Sequence, residues 1–365
     1  MKILHLDFDD LESPTAGGQA VRTFEINRRL AKKGHDITVV TLPYAGSVNK
    51  TKEGIKYERA GIKKYPFSLI SYFFSVRSII RKHTFDLVVE DNISPFTFGF
   101  SPLFTKKPVI SQVQSFHGLH ASKKYHLPFW MIEKYGAKFY KNFIVLTREM
   151  QKEILTLNGK ANIKIIPNGI DKVPGISKTD KKYFLFLGRI DFDYKGIDYL
   201  LNIMEHLQKT RPELKLIIAG YGLEEGKLKS LIRGKDLKNT EFIGKVGGEK
   251  KEKLLGECTA LVMPSRYETF GITMLEAAKH GKPTVCFDIP NLKEHMESKI
   301  GITVPHFNTT KFVESMIELH DNKEETEKLG RNAHEWAKKY LWDTIADEQE
   351  KFYYTCSEAK CARLP

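Results

Sequence analysis

ALVMPSRYETFGITMLEA, residues 260–277, holds the architecture in miniature. An apolar run of strand character ends at Pro264-Ser265, a loop carries Glu268, and Gly271 opens a helical pattern that bears Glu276. A short buried strand, a loop and a helix in that order make one βα unit. The alternation extends both ways. Upstream in the same half, strands are expected at Tyr183–Leu187, Leu214–Ala219 and Glu241–Val246, and downstream at Thr284–Ile289 and Gly301–Val304. Helical patterns fill the gaps at Gly196–Lys209, Leu223–Arg233, Glu249–Glu257 and Ile272–His280, and from Thr309 the pattern is helical nearly to the end, with a turn near Lys339–Trp342.

The first half repeats the scheme. Strands are expected at Lys2–Asp7, Asp36–Leu42, Asp86–Glu90, Pro108–Val113, Asn142–Leu146 and Ile163–Ile166, with a helix over Ala20–Lys33 closed by Gly34. Between the halves, Asp171–Lys182 is polar and reads as a linker. Two βα series predict an α/β protein with two Rossmann-like, doubly wound parallel-sheet domains facing across a cleft at the strand C-termini. The expected domains are 1–172, 173–341 and a C-terminal helix in 342–365 that returns to the first domain.

A chain of 365 residues exceeds one ordinary core, and its 41% hydrophobic, 28% charged composition excludes disordered and fibrous classes. No run of about 18 apolar residues is present, which excludes a spanning helix. MKILHLDFDD lacks signal-peptide features, and Cys258, Cys286, Cys356 and Cys361 lack metal-ligand spacing, so the expected home is the reducing cytoplasm. Residues 1–170 hold 26 Lys and Arg against 14 Asp and Glu, whereas residues 171–365 hold 32 against 31. The first half therefore carries nearly all of the net charge of +13 and suits an anionic partner.

Two loops carry candidate chemistry. The N–H groups of Gly271, Ile272 and Thr273 open a helix, where unpaired donors and positive potential favour an anion. Arg189 and Lys195, on the loop after the Tyr183 strand, supply a forked donor and a compact cation for a pair of phosphates. Glu268 and Glu276 then suit sugar hydroxyls on either side of a diphosphate.

These stretches, in this order, resemble retaining glycosyltransferases of family 4, whose architecture is GT-B. The resemblance covers essentially the whole chain: Ala16-Gly17-Gly18 after the first strand, Pro167-Asn168-Gly169-Ile170-Asp171 before the linker, Gly188-Arg189 with Lys195-Gly196, and the pair Glu268 and Glu276. It implies that Arg189 and Lys195 bind the donor diphosphate and that Gly17 and Gly18 bring backbone near it. Glu268 would hold donor-sugar hydroxyls beside backbone groups of Phe270, Gly271, Ile272 and Thr273, and Glu276 the ribose. Lys245 and Val246 would meet the base, and His117 would face the reactive carbon. The family implies one-face displacement, with a phosphate oxygen helping to take the acceptor proton. The implied function is transfer of a sugar from a UDP- or GDP-sugar to a saccharide, lipid-linked or other hydroxyl acceptor in glycan biosynthesis, with no required cofactor and no metal.

Other signals are discounted. Asp191-Phe192-Asp193 spells a metal-binding string but lies inside the cationic loop, and Gly220-Tyr221-Gly222 has its next glycine, Gly226, one residue late for a dinucleotide fingerprint. Phe67–Lys82 (FSLISYFFSVRSIIRK) reads as a core helix, with peripheral contact to an anionic membrane as the alternative. A sugar-phosphate or glycogen-type synthase of the same fold is the nearer rival. A non-catalytic nucleic-acid-binding protein is the distant one, and no nucleic-acid motif supports it.

Overall fold

Unbroken apolar runs bury on both faces and build two parallel sheets, as the computed structural model describes them for residues 1–14, 16–63, 67–93, 99–116, 118–126, 128–177 and 181–361. Two compact units result, Met1–Gly169 with Trp342–Pro365, and Ile170–Leu341. The first unit begins with β1 (Lys2–Leu6), α1 (Gly18–Lys32), β2 (Asp36–Thr41), β3 (Lys50–Lys52) and β4 (Ile55–Arg59). It continues through α2 (Phe67–Lys82), β5 (Leu87–Ile93), β6 (Val109–Ser115), α3 (Gly118–Tyr125) and α4 (Phe129–Gly136) to β7 (Asn142–Val145), α5 (Arg148–Leu157) and β8 (Asn162–Ile165). The sheet order is β3-β4-β2-β1-β5-β6-β7-β8, parallel except for β3 on β4.

The second unit runs β9 (Tyr183–Arg189), α6 (Phe192–Lys195), α7 (Ile197–Thr210), β10 (Lys215–Tyr221), α8 (Glu225–Gly234), β11 (Thr240–Gly244) and α9 (Gly248–Glu257). Then come β12 (Ala260–Met263), α10 (Ile272–Ala278), β13 (Thr284–Phe287), α11 (Pro290–Met296), β14 (Gly301–Val304), α12 (Thr309–Asp321) and α13 (Lys323–Ala337). Its sheet order, β11-β10-β9-β12-β13-β14, is all parallel and reverses direction between β9 and β12. In open α/β sheets ligands bind at that reversal, outside the strand C-termini.

The hairpin β3–β4 has no counterpart among the strands expected from sequence, and β11 stops at Gly244, whose φ is 76°. Lys245 and Val246 therefore follow the strand rather than end it. The glycines of the discounted dinucleotide-like string have a packing reason. A Cβ on Gly220 would lie 1.8 Å from the Gly188 carbonyl oxygen, and one on Gly222 would lie 2.2 Å from that of Ile190. Among the described residues, no helix is long and apolar enough to cross a membrane.

The last helix, α14 (Trp342–Cys361), packs on α1 in the first unit. Its anchor is Arg22, wholly buried, whose guanidinium donates to the Pro167 carbonyl, to Asn168 Oδ1 at 3.3 Å and to Gln349 Oε1 at 2.7 Å. Burial lowers the Arg22 guanidinium to about 10, which still leaves it charged at neutral pH. Gln349 in turn donates to Gln112 Oε1 and Tyr353 Oη. The turn glycine beside this network has no room for a side chain, because a Cβ on Gly169 would sit 2.9 Å from the Trp342 ring. Arg22→Met should strand the Gln349 and Pro167 acceptors at about 1–3 kcal/mol each. The expected drop in Tm is about 5–15 °C, at roughly 2–4 °C per kcal/mol, with amide exchange in α14 accelerating first. An unchanged melting curve would contradict this account of the anchor.

Candidate active site

Because β9 and β12 are neighbours, with Ala260 opposite Phe184 and Leu261 opposite Leu185, the loops leaving their ends lie side by side. The first loop is shaped by Asp191, whose carboxylate accepts from the Tyr194 N–H at 2.8 Å and caps α6. That is a structural use for the first acid of the Asp-x-Asp string. The second loop is stapled to the first. The N–H groups of Arg266 and Tyr267 both donate to the Tyr194 carbonyl, at 2.9 and 3.2 Å. The Arg266 guanidinium grips Asp198 through both nitrogens, at 2.8 and 2.6 Å, donates to the Phe192 carbonyl and lies over the Tyr199 ring. Burial raises the Asp198 carboxyl, but the Arg266 hydrogen bonds and charge outweigh it and hold the group below its ordinary value.

The stapling brings Lys195 and Glu268 together. Lys195 Nζ meets Glu268 Oε1 at 2.5 Å, Ser265 Oγ donates to the same oxygen at 3.0 Å, and Asn291 Nδ2 donates to the Glu268 backbone carbonyl at 3.0 Å. The Glu268 side chain is only 10% exposed, so its charge needs these partners. Arg189 is 60% exposed, its Nε 3.4 Å from Asp191 and its guanidinium near the Tyr194 ring. Arg189 and Lys195 thus leave one loop in different states, the first open to solvent and the second engaged by a carboxylate.

Gly271 turns the second loop into α10 with φ 79° and ψ 53°, a left-handed conformation in which a Cβ would also meet Leu292 at 2.9 Å. The helix has seven residues. Its first bonds run from the Met274 and Leu275 N–H groups to the Gly271 carbonyl, and among the described residues the Ile272 and Thr273 N–H groups have no partner. Thr273 Oγ1 lies 3.8 Å from the Met263 sulfur. The Phe270 side chain is core, 1% exposed, edge-on to His295 at 4.7 Å and to Tyr340 at 5.8 Å. Phe270 therefore offers this loop only its backbone. Burial pushes the His295 imidazole down to about 4, so it supports the loop as a neutral ring.

Glu276 is held elsewhere, by Lys251 on α9 at 2.7 Å. Lys245 lies over the Tyr221 ring at 4.5 Å, and Val246 follows it, half-buried. In the first unit, Gly17 precedes α1, Gly18 is its first residue, and a Cβ on Gly17 would meet open space. His117 lies outside the described residues. Sequence reading did not single out Ser265, Arg266, Asp198, Asn291 or Lys251. Apart from Ser265, three residues from Glu268, their partners lie 23 to 74 residues away, so no local spacing announces them.

Among the described residues, one group of His and Asp has donor atoms close enough to hold a metal: His5, Asp7 and Asp91, all buried in the first unit. Protein atoms already engage all three, Asp7 Oδ1 accepting from the Phe8 N–H at 2.6 Å and from Gln19 Nε2. His5 Nε2 meets Asp91 Oδ2 at 2.7 Å, His5 Nδ1 faces Asn27 at 2.9 Å, and the other Asp91 oxygen accepts from Gln112 and Gln114.

Comparison with known proteins bears on both units. Residues 16–173 match the model described as Glycosyltransferase Family 4, and residues 170–336 match Glycosyl transferases group 1. The O-antigen chain mannosyltransferase C of Escherichia coli is 24% identical over 99% of this chain and 100% of its own. Among solved structures, sucrose-phosphate synthase from Thermosynechococcus elongatus superposes with a TM-score of 0.81 at 17% identity, covering 98% of this chain and 99% of that one. The Anabaena protein HepE, solved with UDP and glucose, gives 0.77 at 17% identity over 97% and 100%. A non-catalytic nucleic-acid-binding role does not accommodate two glycosyltransferase matches that together span residues 16–336.

Proposed function

With the chain a glycosyltransferase of the GT-B type, we propose that it moves a sugar from a UDP- or GDP-sugar to a hydroxyl of a saccharide or lipid-linked acceptor, with retention of configuration. The observation that carries the donor half is the stapled pair of loops at the β9–β12 reversal. There Lys195, Glu268 and the open N–H groups of Ile272 and Thr273 belong to one supported structure.

In this reading the leaving diphosphate gathers negative charge as the glycosyl bond breaks. Arg189 is free to swing onto it, Lys195 turns from Glu268 toward it, and the Ile272 and Thr273 N–H groups donate to it. Once the donor is bound these groups are in place before the bond breaks, and donors held where charge develops lower the barrier. Glu268 then accepts from donor-sugar hydroxyls, and Glu276 with Lys251 faces the ribose. A phosphate oxygen takes the acceptor proton, with no metal required. The basic first unit, with 29 Lys and Arg against 19 Asp and Glu over residues 1–169 and 342–365, suits an acceptor that carries phosphate. A lipid-linked saccharide diphosphate and a sugar phosphate both have that chemistry, and the sugar-phosphate synthase reading stays beside the first on that ground.

The test is a thermal-shift series with UDP, GDP, ADP and their sugar conjugates, run in EDTA. One conjugate at 100 times its dissociation constant should stabilise the protein by about 2.7 kcal/mol. Glu276→Ala should abolish that gain while leaving the unliganded melting point nearly unchanged, because its ion pair with Lys251 is partly exposed. No shift with any nucleotide-sugar, or a shift that needs added Mn²⁺, would overturn the reading.

A further inference from the structure

Helix α2 is apolar on two sides, and the fold uses only one. Tyr72, Val76, Ile79 and Ile80 are buried, and the Tyr72 hydroxyl donates to the Val40 carbonyl at 2.9 Å. That face does what a core helix does. The opposite face exposes Phe67, Ile70, Phe73 and Phe74, the last at 75%. This exposed face is not isolated. Phe73 meets the Phe100 ring edge-on at 5.8 Å, and Phe100 meets Phe139 edge-on at 5.3 Å. The ring chain joins α2 to the Ser101–Leu103 turn and to the turn after α4. Phe100 keeps its place with φ 57°, a left-handed conformation that a bulky residue adopts only under constraint. Leu103, Phe104 and Trp130 extend the exposed surface.

The charge around this surface has one sign. Arg77, Lys106, Lys107, Lys123, Lys134 and Lys138 are exposed on these elements, and the single acid in residues 67–81, 100–107 and 118–138 is Glu133. Glu133 is buried, accepting from the Gly118 N–H at 2.8 Å, so it faces away from solvent. Lys134 lies over the Trp130 and Tyr135 rings, and Lys138 over Tyr135. Exposed aromatic rings among lysines, with no acid to balance them, match the headgroup zone of a bilayer, where rings seat at the boundary and cations meet anionic lipid. A second copy of this chain would bring the same uncompensated positive charge and repel.

We propose that the face formed by α2, the Ser101–Leu103 turn and α4 is a docking surface for an anionic membrane. It seats Phe74 and Trp130 at the headgroup boundary with Lys106, Lys107 and Lys138 on phosphate. Neither the donor nor the reaction chemistry enters the argument, so the proposal stands apart from the function assigned above.

The test is flotation of the full chain with vesicles of phosphatidylcholine alone and of phosphatidylcholine mixed with phosphatidylglycerol. Binding should require phosphatidylglycerol and fall in high salt, which screens surface charge beyond a few ångströms. Lys106→Gln with Lys138→Gln should weaken it about 30-fold, at roughly fivefold per cation. Phe74→Glu with Trp130→Glu should abolish it while far-UV circular dichroism stays unchanged. Equal binding to both vesicles, or none to either, overturns the proposal. So does self-association in sedimentation that Phe74→Glu removes, because the occupant would then be a second copy. The nucleotide-sugar thermal shift, measured on the same samples, reports separately on the donor site.

Discussion

Lys195→Ala should lower kcat/KM for sugar transfer by roughly 10²- to 10³-fold, the usual cost of removing one preorganised electrostatic contact to developing charge. Two effects could produce that loss. The ammonium could act on the diphosphate, or it could merely keep Glu268, 10% exposed and 2.5 Å away, in place. A double substitution separates them. If Lys195 only positions Glu268, then Glu268→Gln removes the charge that needs holding, and adding Lys195→Ala to it should cost little more. If the cation acts on the diphosphate, Lys195→Ala with Glu268→Gln stays at least as slow as Lys195→Ala. UDP or GDP affinity should fall in the lysine variant but not with Glu268→Gln, because the proposed function gives Glu268 to the sugar hydroxyls. Arg189 provides the contrast. It is 60% exposed and its ion pair is long, so Arg189→Ala should lose activity with almost no change in melting point. A Lys195→Ala enzyme that retains a fifth of wild-type turnover would sink the assignment.

That assignment was half legible in the sequence. Strand positions followed from unbroken apolar runs such as Ala260–Met263 and Thr284–Phe287, because a strand buried on both faces must be apolar throughout. Motifs at strand ends were legible for the same reason, since the fold delivers every strand end to one edge of the sheet. What stayed hidden was pairing between segments. Lys195 and Glu268 are 73 residues apart, and nothing in either loop says that the lysine meets a carboxylate in the folded chain. Asp198 looks like an ordinary first-turn acid of α7 until β12 brings Arg266 against it. The β3–β4 hairpin was missed because its residues, KTKEGIKYER (50–59), are largely polar, as sheet edges tend to be. For Phe67–Lys82 the core and surface readings are compatible, because a helix that is apolar most of the way round can bury one face and leave the other exposed.

The residue after Lys195 tests the stapled loops most severely. Gly196 ends α6 and begins α7 with φ 64° and ψ 37°, and a Cβ there would lie 1.9 Å from the Pro264 carbonyl oxygen. Alanine at this position faces two costs. The left-handed backbone costs an L-residue about 1–2 kcal/mol, and relieving the overlap requires moving the end of β12, typically another 1–3 kcal/mol. Gly196→Ala should therefore lose about 2–5 kcal/mol, seen as a Tm lower by about 5–15 °C. The functional loss should be larger than the stability loss suggests. Pro264 leads directly into Ser265 and Glu268, so the movement that admits a methyl group also parts Glu268 from Lys195. A displacement of about 1 Å can cost 10²-fold in rate. Assayed well below its melting point, the variant should be folded, slow and weak in donor binding. Gly226, in α8, is the control. A Cβ there meets nothing within 4 Å, so Gly226→Ala should be neutral or slightly stabilising, by about 0.4–1 kcal/mol. If both alanine variants melted and turned over alike, the close approach of the two loops could not be what organises the donor site.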